Sequence, residues 1–288
     1  MEIDFGDEFN AEEEAKRIRE ARLKEDRAIE KAELTQSSYS VSLASQSRFA
    51  GLDWAEPIKR TAATLVGAGG IGSYTAFGLC RAGIGSLTIW DGDTIDSSNL
   101  SGQLYREIDI GRYKVNAIKD IISLFVPNAF IIPNLRFFKE NDPLQDITIT
   151  GLDSMKARRL VFEEWYKLKS KSNNKSRCLF IDARMSVEHI QIFCFRLSSH
   201  NRLNNYMKEC LFSDDEFQSP ACSLKATSHI GMGIGYLITS IVTNHILFEN
   251  NDVVFDKTIP FYIMADSCRG FILKTANSWE KPKREENS

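Results

Sequence analysis

The sequence predicts an α/β fold: a Rossmann-like, mainly parallel sheet with crossover helices, completed by antiparallel strands in the C-terminal half. Three observations carry that prediction. Strand-like and helix-like runs alternate from Thr61 onward. A glycine-rich run, Gly67-Ala-Gly69-Gly70-Ile-Gly72, joins the first such strand to the first such helix. Beyond Asp182 the style changes, and His189–Phe195 alternates in the manner of an antiparallel strand.

The elements follow in order. Residues 1–46 read as a charged helical extension and a polar linker. Between about Asp7 and Leu34, opposite charges three and four apart support a helix, but Ile18, Ala28, Ile29 and Ala32 give it only a thin apolar stripe. The serine-rich stretch from Gln36 to Ser47 is the linker. Residues 47–276 form one domain, with strand Ala62–Val66, helix Ile71–Ala82, strand Ser86–Trp90, helix Arg112–Phe125 and strand Phe130–Ile132. Strand Ile147–Leu152, helix Ser154–Lys169 and strand Cys178–Ala183 continue the alternation. Then come strand His189–Phe195, a polar loop, a long helix Ser228–Phe248, and two β-like runs at Phe261–Met264 and Gly270–Lys274. Residues 277–288 are a polar tail, expected to be disordered.

Composition narrows the classes. With 288 residues, 43% of them hydrophobic, the chain has material for one large α/β core, or for one core with a small appendage. A formal charge of −3 provides no global field for nucleic acid or anionic lipid, so neither is an expected partner. The run Ile230 to Phe248 is long enough to suggest a membrane span, but its glycines, threonines, Asn244 and His245 favour a buried helix. Six scattered cysteines and a polar N-terminus without a signal-peptide core fit a reducing, cytoplasmic setting. No C-x-x-C pair occurs and the histidines are dispersed, which argues against a dedicated zinc site.

The glycine run has the G-x-G-x-x-G spacing that lets backbone turn tightly, approach a phosphate or ribose and start a helix. Asp91, at the end of the next strand, stands where a carboxylate takes ribose hydroxyls. A nicotinamide cofactor is the commonest occupant of such a loop. The residues downstream favour another nucleotide. The loop from Asp91 through Asp93, Asn99 and Gln103 is too polar for a connector, and Lys114 opens the next helix. Amides and a cation suit a triphosphate whose α-phosphorus is attacked. At a later strand end, Asp153 is either a helix N-cap, with Ser154 competing, or a carboxylate that holds Mg²⁺ against phosphates.

From Ser47 to Phe248 these pieces, in this order and spacing, resemble the ThiF/MoeB/HesA family, bacterial relatives of ubiquitin-activating enzymes. The resemblance implies an adenylating fold, a homodimer, and ATP and Mg²⁺ as cofactors. It implies as partner a small ubiquitin-like or sulfur-carrier protein or peptide with a free C-terminal carboxylate. That carboxylate would be adenylated with release of pyrophosphate. On this pattern Gly67, Gly69, Gly70 and Gly72 lie against the nucleotide, Asp91 takes the ribose, Asp93 is a further nucleotide-binding residue, Asn99 and Gln103 bind or orient the phosphate chain, Lys114 steadies the attacked phosphate, and Asp153 holds Mg²⁺. Arg48 would match an arginine that reaches ATP in the partner subunit. Cys222, in a loop before the long helix, would match the family's thiol nucleophile, with Cys210 a lesser candidate.

The chain departs from the pattern in two places. Where members commonly read Ser-Asn-Leu-Asn-Arg-Gln, it reads Ser98-Asn-Leu-Ser-Gly102-Gln103, without the arginine, and Arg106 and Arg112 are the nearest replacements. The paired zinc cysteines of many bacterial members are also missing. The lost arginine motivates an alternative function, a catalytically weakened nucleotide-binding or scaffold homologue of the same family.

Overall fold

The computed structural model describes residues 19–21, 24, 52–186, 189–211, 227–249, 259–266 and 272–280. Its centre is an eight-stranded sheet in the order β3-β2-β1-β4-β5-β6-β7-β8. The strands are β1 (Ala62–Val66), β2 (Ser86–Trp90), β3 (Ile131–Asn134), β4 (Ile147–Thr150), β5 (Leu179–Met185), β6 (His189–Arg196), β7 (Tyr262–Asp266) and β8 (Ile272–Ala276). The first five pair in parallel, and β5 to β8 are antiparallel. Because the chain leaves β1 for β2 on one side and later returns to β4 on the other, the sheet has a switch point between the carboxyl ends of β1 and β4. Ligands of open α/β sheets bind in the crevice at such a point.

The helices are α1 (Ala55–Ile58), α2 (Gly70–Ala82), α3 (Lys114–Ser123), α4 (Met155–Lys169), α5 (His200–Asn205) and α6 (Ser228–Glu249). Strand alternation sorts side chains by type between two cores. On β5, Leu179, Ile181 and Ala183 face the aliphatic layer of α2, α3 and α6, whereas Phe180 faces an aromatic layer containing Phe162 and Trp165 of α4. On β6, Ile190, Ile192 and Cys194 join the first layer and Phe193 and Phe195 the second.

The apolar helix α6 is long and hydrophobic enough to cross a membrane by length and composition. In the fold, Ile230, Ile234, Ile238, Ile241, Val242 and Ile246 are buried in the aliphatic layer. Its glycines allow close approach to α2, since a Cβ on Gly235 would lie 2.9 Å from Tyr74. The expected buried helix is therefore found.

Two boundaries differ instructively. The helix expected from Arg112 starts at Lys114, because residues 112 and 113 are drawn into pairing with the loop after β2: Ile95 donates to the Arg112 carbonyl (2.9 Å), and Thr94 bridges Tyr113. The stretch expected as a polar loop after β6 is helical, with α5 followed by a π-helical turn at Tyr206–Cys210. Its polar residues hid three anchors: Leu203, Tyr206 and Cys210 are buried in the aromatic layer.

Candidate functional site

The glycine loop sits at the switch point. Gly67 has φ +97°, a left-handed conformation that favours glycine, and a Cβ there would lie 2.6 Å from the Gly151 carbonyl oxygen at the end of β4. A Cβ on Gly72 would strike the Gly67 carbonyl, and one on Gly70 would meet Met185 and the Gly102 carbonyl oxygen. Gly69 alone of the four faces open space. Gly67, Gly70 and Gly72 owe their lack of a side chain to internal packing. Their backbone still matters to a ligand. The first helical bond is donated by Ser73 to the Gly69 carbonyl (2.9 Å), so the N–H groups of Gly70, Ile71 and Gly72 precede the ladder at the positive end of α2.

Asp91 joins this loop from β2. One carboxylate oxygen accepts from the Ala68 N–H at 2.7 Å and the other from the Asp93 N–H at 2.8 Å. Burial holds its carboxyl above the usual range, while the Lys114 ammonium and the two N–H donors pull the other way. Each carboxylate oxygen has a second lone-pair direction for a ligand hydroxyl. The Ala68 carbonyl is held in turn by the buried Tyr105 hydroxyl (2.5 Å), and the Ser73 hydroxyl oxygen accepts from Leu104 N–H (3.1 Å). These two contacts fasten the polar loop 97–105 to the glycine loop. Tyr105 carried no sequence signal beyond its place at the end of that polar run.

Lys114 is placed by the small antiparallel contact noted above. Its N–H donates to the Asp93 carbonyl (3.0 Å), and its buried ammonium pairs with the Asp93 carboxylate at 2.9 Å. Gly111, with φ +87°, makes the turn that brings the chain back, and its N–H donates to the Ile95 carbonyl (2.8 Å). The charged N-terminal segment reaches the same place: Arg19 donates from Nη2 to the Thr94 hydroxyl at 2.7 Å.

Other predicted residues fare differently. Asn99 is buried, and its side-chain oxygen accepts from the Asp96 N–H (3.2 Å) in a capping box. That oxygen organises the loop, and the Nδ2 group is the part of the amide that could donate to a phosphate. Gln103 presents a buried Oε1 with no hydrogen-bond partner among the described residues, an acceptor waiting for a donor. Arg106 and Arg112, the nearest replacements for the missing arginine, are both paired with the buried Asp109, at 2.8 and 3.2 Å.

At the end of β4 the competition between Asp153 and Ser154 is settled. Ser154 is the N-cap of α4, its hydroxyl accepting from the Ala157 N–H at 3.3 Å. Asp153 stays exposed, with its carboxylate outside the cap. Because Gly151 N–H donates to the Val66 carbonyl (2.9 Å), the Asp153 turn lies against the glycine loop. The site thus offers helix-start N–H donors, an open glycine, a buried ribose-type carboxylate, an ammonium and an exposed hard oxygen ligand, a set that fits a nucleoside triphosphate with Mg²⁺.

Among the cysteines, Cys210 is buried and burial pushes its thiol up, which keeps it protonated and a poor nucleophile. Arg48 and Cys222 lie outside the described residues. Among the described residues, no group of three or more His, Cys, Asp or Glu side chains is gathered to hold a metal.

Curated relatives match over a limited stretch. A probable adenylyltransferase/sulfurtransferase MoeZ of Mycobacterium tuberculosis is 32% identical over 117 residues, 38% of this chain and 30% of that protein. The Nedd8-activating enzyme E1 catalytic subunit of Drosophila melanogaster is 34% identical over 102 residues, 34% of this chain and 23% of that protein. The match thus spans about a third or less of the length of these relatives. Among solved structures, E. coli MccB aligns with a TM-score of 0.59 at 16% identity, covering 80% of this chain and 66% of that one. PaaA aligns with 0.58 at 18% identity, covering 83% and 75%. At these identities the likeness shows a shared fold. The ThiF family model matches residues 39–266, a range that holds the glycine loop, Asp91, Lys114 and Asp153, and the chain belongs to the ThiF family.

Proposed function

We propose that this chain is an ATP- and Mg²⁺-dependent adenylyltransferase that activates the C-terminal carboxylate of a small ubiquitin-like or sulfur-carrier protein or peptide. The observation that carries the reading is the convergence of three separate motifs on Ala68 and Asp93. The glycine loop, Asp91 and Lys114 are linked by contacts of 2.7, 2.8 and 2.9 Å. Named relatives support it: MoeZ is described as an adenylyltransferase/sulfurtransferase, and MccB has been solved with ATP.

A carboxylate is a poor electrophile because its leaving group would be oxide. In the proposed step a carboxylate oxygen of the acceptor attacks the α-phosphorus of ATP. The bond from that phosphorus to the bridging oxygen breaks, pyrophosphate departs, and a mixed acyl–phosphate anhydride remains. The chain's task is to position the reactants and neutralise charge. Asp91 accepts from the ribose hydroxyls. Lys114 keeps one N–H on Asp93 and offers the other two to the attacked phosphate. The N–H groups at the start of α2 would face the phosphates, and Asp153 would hold Mg²⁺, whose charge would offset that of the phosphate oxygens. The homodimeric state and cytoplasmic setting belong to the same proposal, and sedimentation of the purified chain tests the first.

A second reading, a nucleotide-binding homologue with weakened turnover, is favoured by one observation: with Gly102 in place of arginine, both nearby arginines are engaged by Asp109. Carboxylate-dependent exchange of labelled pyrophosphate into ATP separates the two. Exchange with a carrier ending in a free carboxylate supports the enzyme, and Lys114→Ala should slow it by about 10²–10³-fold, the scale of one lost transition-state contact. Tight ATP binding without exchange for any carrier supports the scaffold.

A further inference from the structure

The carboxyl ends of β4 and β5 hold a buried charge cluster that the proposed mechanism does not use. At its centre is Asp182, fully buried on the aromatic face of β5. One carboxylate oxygen accepts from the Thr150 hydroxyl (3.0 Å) and from Nη1 of Arg158. The other accepts from Nε and Nη2 of Arg184 (2.9 and 2.7 Å) and from the Tyr206 hydroxyl (3.1 Å). Every acceptor direction of the carboxylate is filled.

Burying two guanidinium groups and a carboxylate carries a large desolvation cost before their attraction is counted, and a well-packed apolar trio often does as well. The cluster therefore has to be judged by what else it holds. Arg158 does not end at Asp182. Its Nη1 also donates to the Ala183 carbonyl (2.9 Å), and its Nη2 donates to the carbonyl of Leu152. Leu152 immediately precedes Asp153, and its own neighbour Gly151 is bonded to β1. The guanidinium is thus a rigid fork with one tine on the sheet and the other on the turn that presents Asp153. Arg184 likewise reaches the Cys210 carbonyl (2.8 Å), so the hub is braced from a second side.

We propose that Asp182 is a positioning residue for metal binding: by clamping Arg158 between β5 and the Leu152 carbonyl, it fixes the turn in which the Asp153 carboxylate faces the nucleotide. The inference rests on the Mg²⁺ role given to Asp153 in the proposed function. Neither Asp182 nor Arg158 touches the metal. Their effect passes through one backbone carbonyl.

The test uses Mn²⁺ in place of Mg²⁺, titrated into the full chain with ATP and followed by electron paramagnetic resonance. Arg158→Lys keeps a positive charge beside Asp182, but a lone ammonium is not a planar fork and loses the Leu152 carbonyl. Its Mn²⁺ affinity should fall by about tenfold or more, the scale for loss of an outer-shell support. The Mg²⁺ concentration for half-maximal pyrophosphate exchange should rise by the same factor. Metal-free ATP affinity and the rate at saturating Mg²⁺ should stay at wild-type values, which a merely damaged fold would not produce. Should Arg158→Lys fail to fold, Tyr206→Phe decides the matter: it leaves all three charges, removes one hydroxyl donor from Asp182, and should weaken Mn²⁺ binding by a smaller measurable factor. A folded variant with wild-type Mn²⁺ affinity overturns the positioning role. A wild-type chain that binds ATP but no Mn²⁺ overturns the metal role of Asp153 itself.

Discussion

Two buried aspartates belong to the same sheet, Asp91 just past the end of β2 and Asp182 midway along β5, and their surroundings are opposites. Asp91, after β2, is held by two backbone N–H groups, and burial keeps its carboxyl above the usual range despite the nearby Lys114. For Asp182, on β5, burial alone would push the carboxyl up. Arg158, Arg184 and a hydroxyl donor instead bring it down to about 2. The difference separates a carboxylate with unfilled acceptor directions from one whose acceptor directions are all taken. Asp91 has a charge without a directly bonded cation and lone pairs to spare. Asp182 has neither.

The largest effect expected from this contrast is on stability. Asp182→Ala leaves two buried guanidinium groups without their counter-ion, and the loss should be about 3–5 kcal/mol by urea denaturation. Asp91→Ala removes a buried carboxylate whose partners are backbone N–H groups near the site opening. Its cost should be nearer 1–3 kcal/mol, that of unsatisfied donors. Equal losses at the two positions would break the comparison.

Next comes the acid limb. Asp182 titrates near 2 when folded and near 3.9 when unfolded, so the unfolded chain binds the proton first as pH falls. Its stabilisation is complete above about pH 5 and is lost as pH falls toward 2, amounting to about 2.5 kcal/mol. His245 acts at higher pH with the same sign. Burial and Arg196 hold it down to about 3 while the unfolded imidazole protonates from about 6.5, so stability declines through that window as well. Denaturation midpoints of wild type and Asp182→Asn measured from pH 7 to 2 should converge only below about pH 4.

The same contrast explains what was legible in the sequence. The position of Asp91 against the glycine loop was readable because it is set locally, by a glycine run and a strand of fixed length, and the loop spacing carries both. Asp182 was not readable, since its partners Thr150, Arg158 and Tyr206 are brought together only by the β4–β5 pairing and by the packing of α4 and the turn after α5. In the parallel half β1 and β2 have their expected bounds, and β3, β4 and β5 begin or end one or two residues away, because short runs rich in Val, Ile and Thr mark a strand better than they mark its ends. The α5 segment was missed for the opposite reason: Leu203 and Tyr206 anchor it from within a polar run. Asn99 shows a third kind of limit. An amide beside serines and an aspartate suits a phosphate and equally suits a capping box, and only the fold reveals the Asp96 N–H on its oxygen. Ser154 and Asp153 posed the same ambiguity at a helix start, and there the fold leaves the carboxylate free of the cap.

The smallest expected change sharpens the comparison most, because it separates stability from binding at one residue. Asp91→Asn removes a charge that burial disfavours and exchanges one acceptor oxygen for an NH₂ facing a backbone N–H. The two effects oppose each other, so the stability change should stay within about 1 kcal/mol, the worth of a single hydrogen bond. Binding has no such compensation. The ribose hydroxyls would meet one acceptor fewer and no negative charge, and ATP affinity should fall by about tenfold, which is ~1.4 kcal/mol. Calorimetric titration of ATP beside a denaturation curve of the same preparation measures both. Unchanged affinity with lowered stability would make Asp91 a second structural carboxylate, and the nucleotide would then have to be held by the α2 amide groups and Lys114 without it.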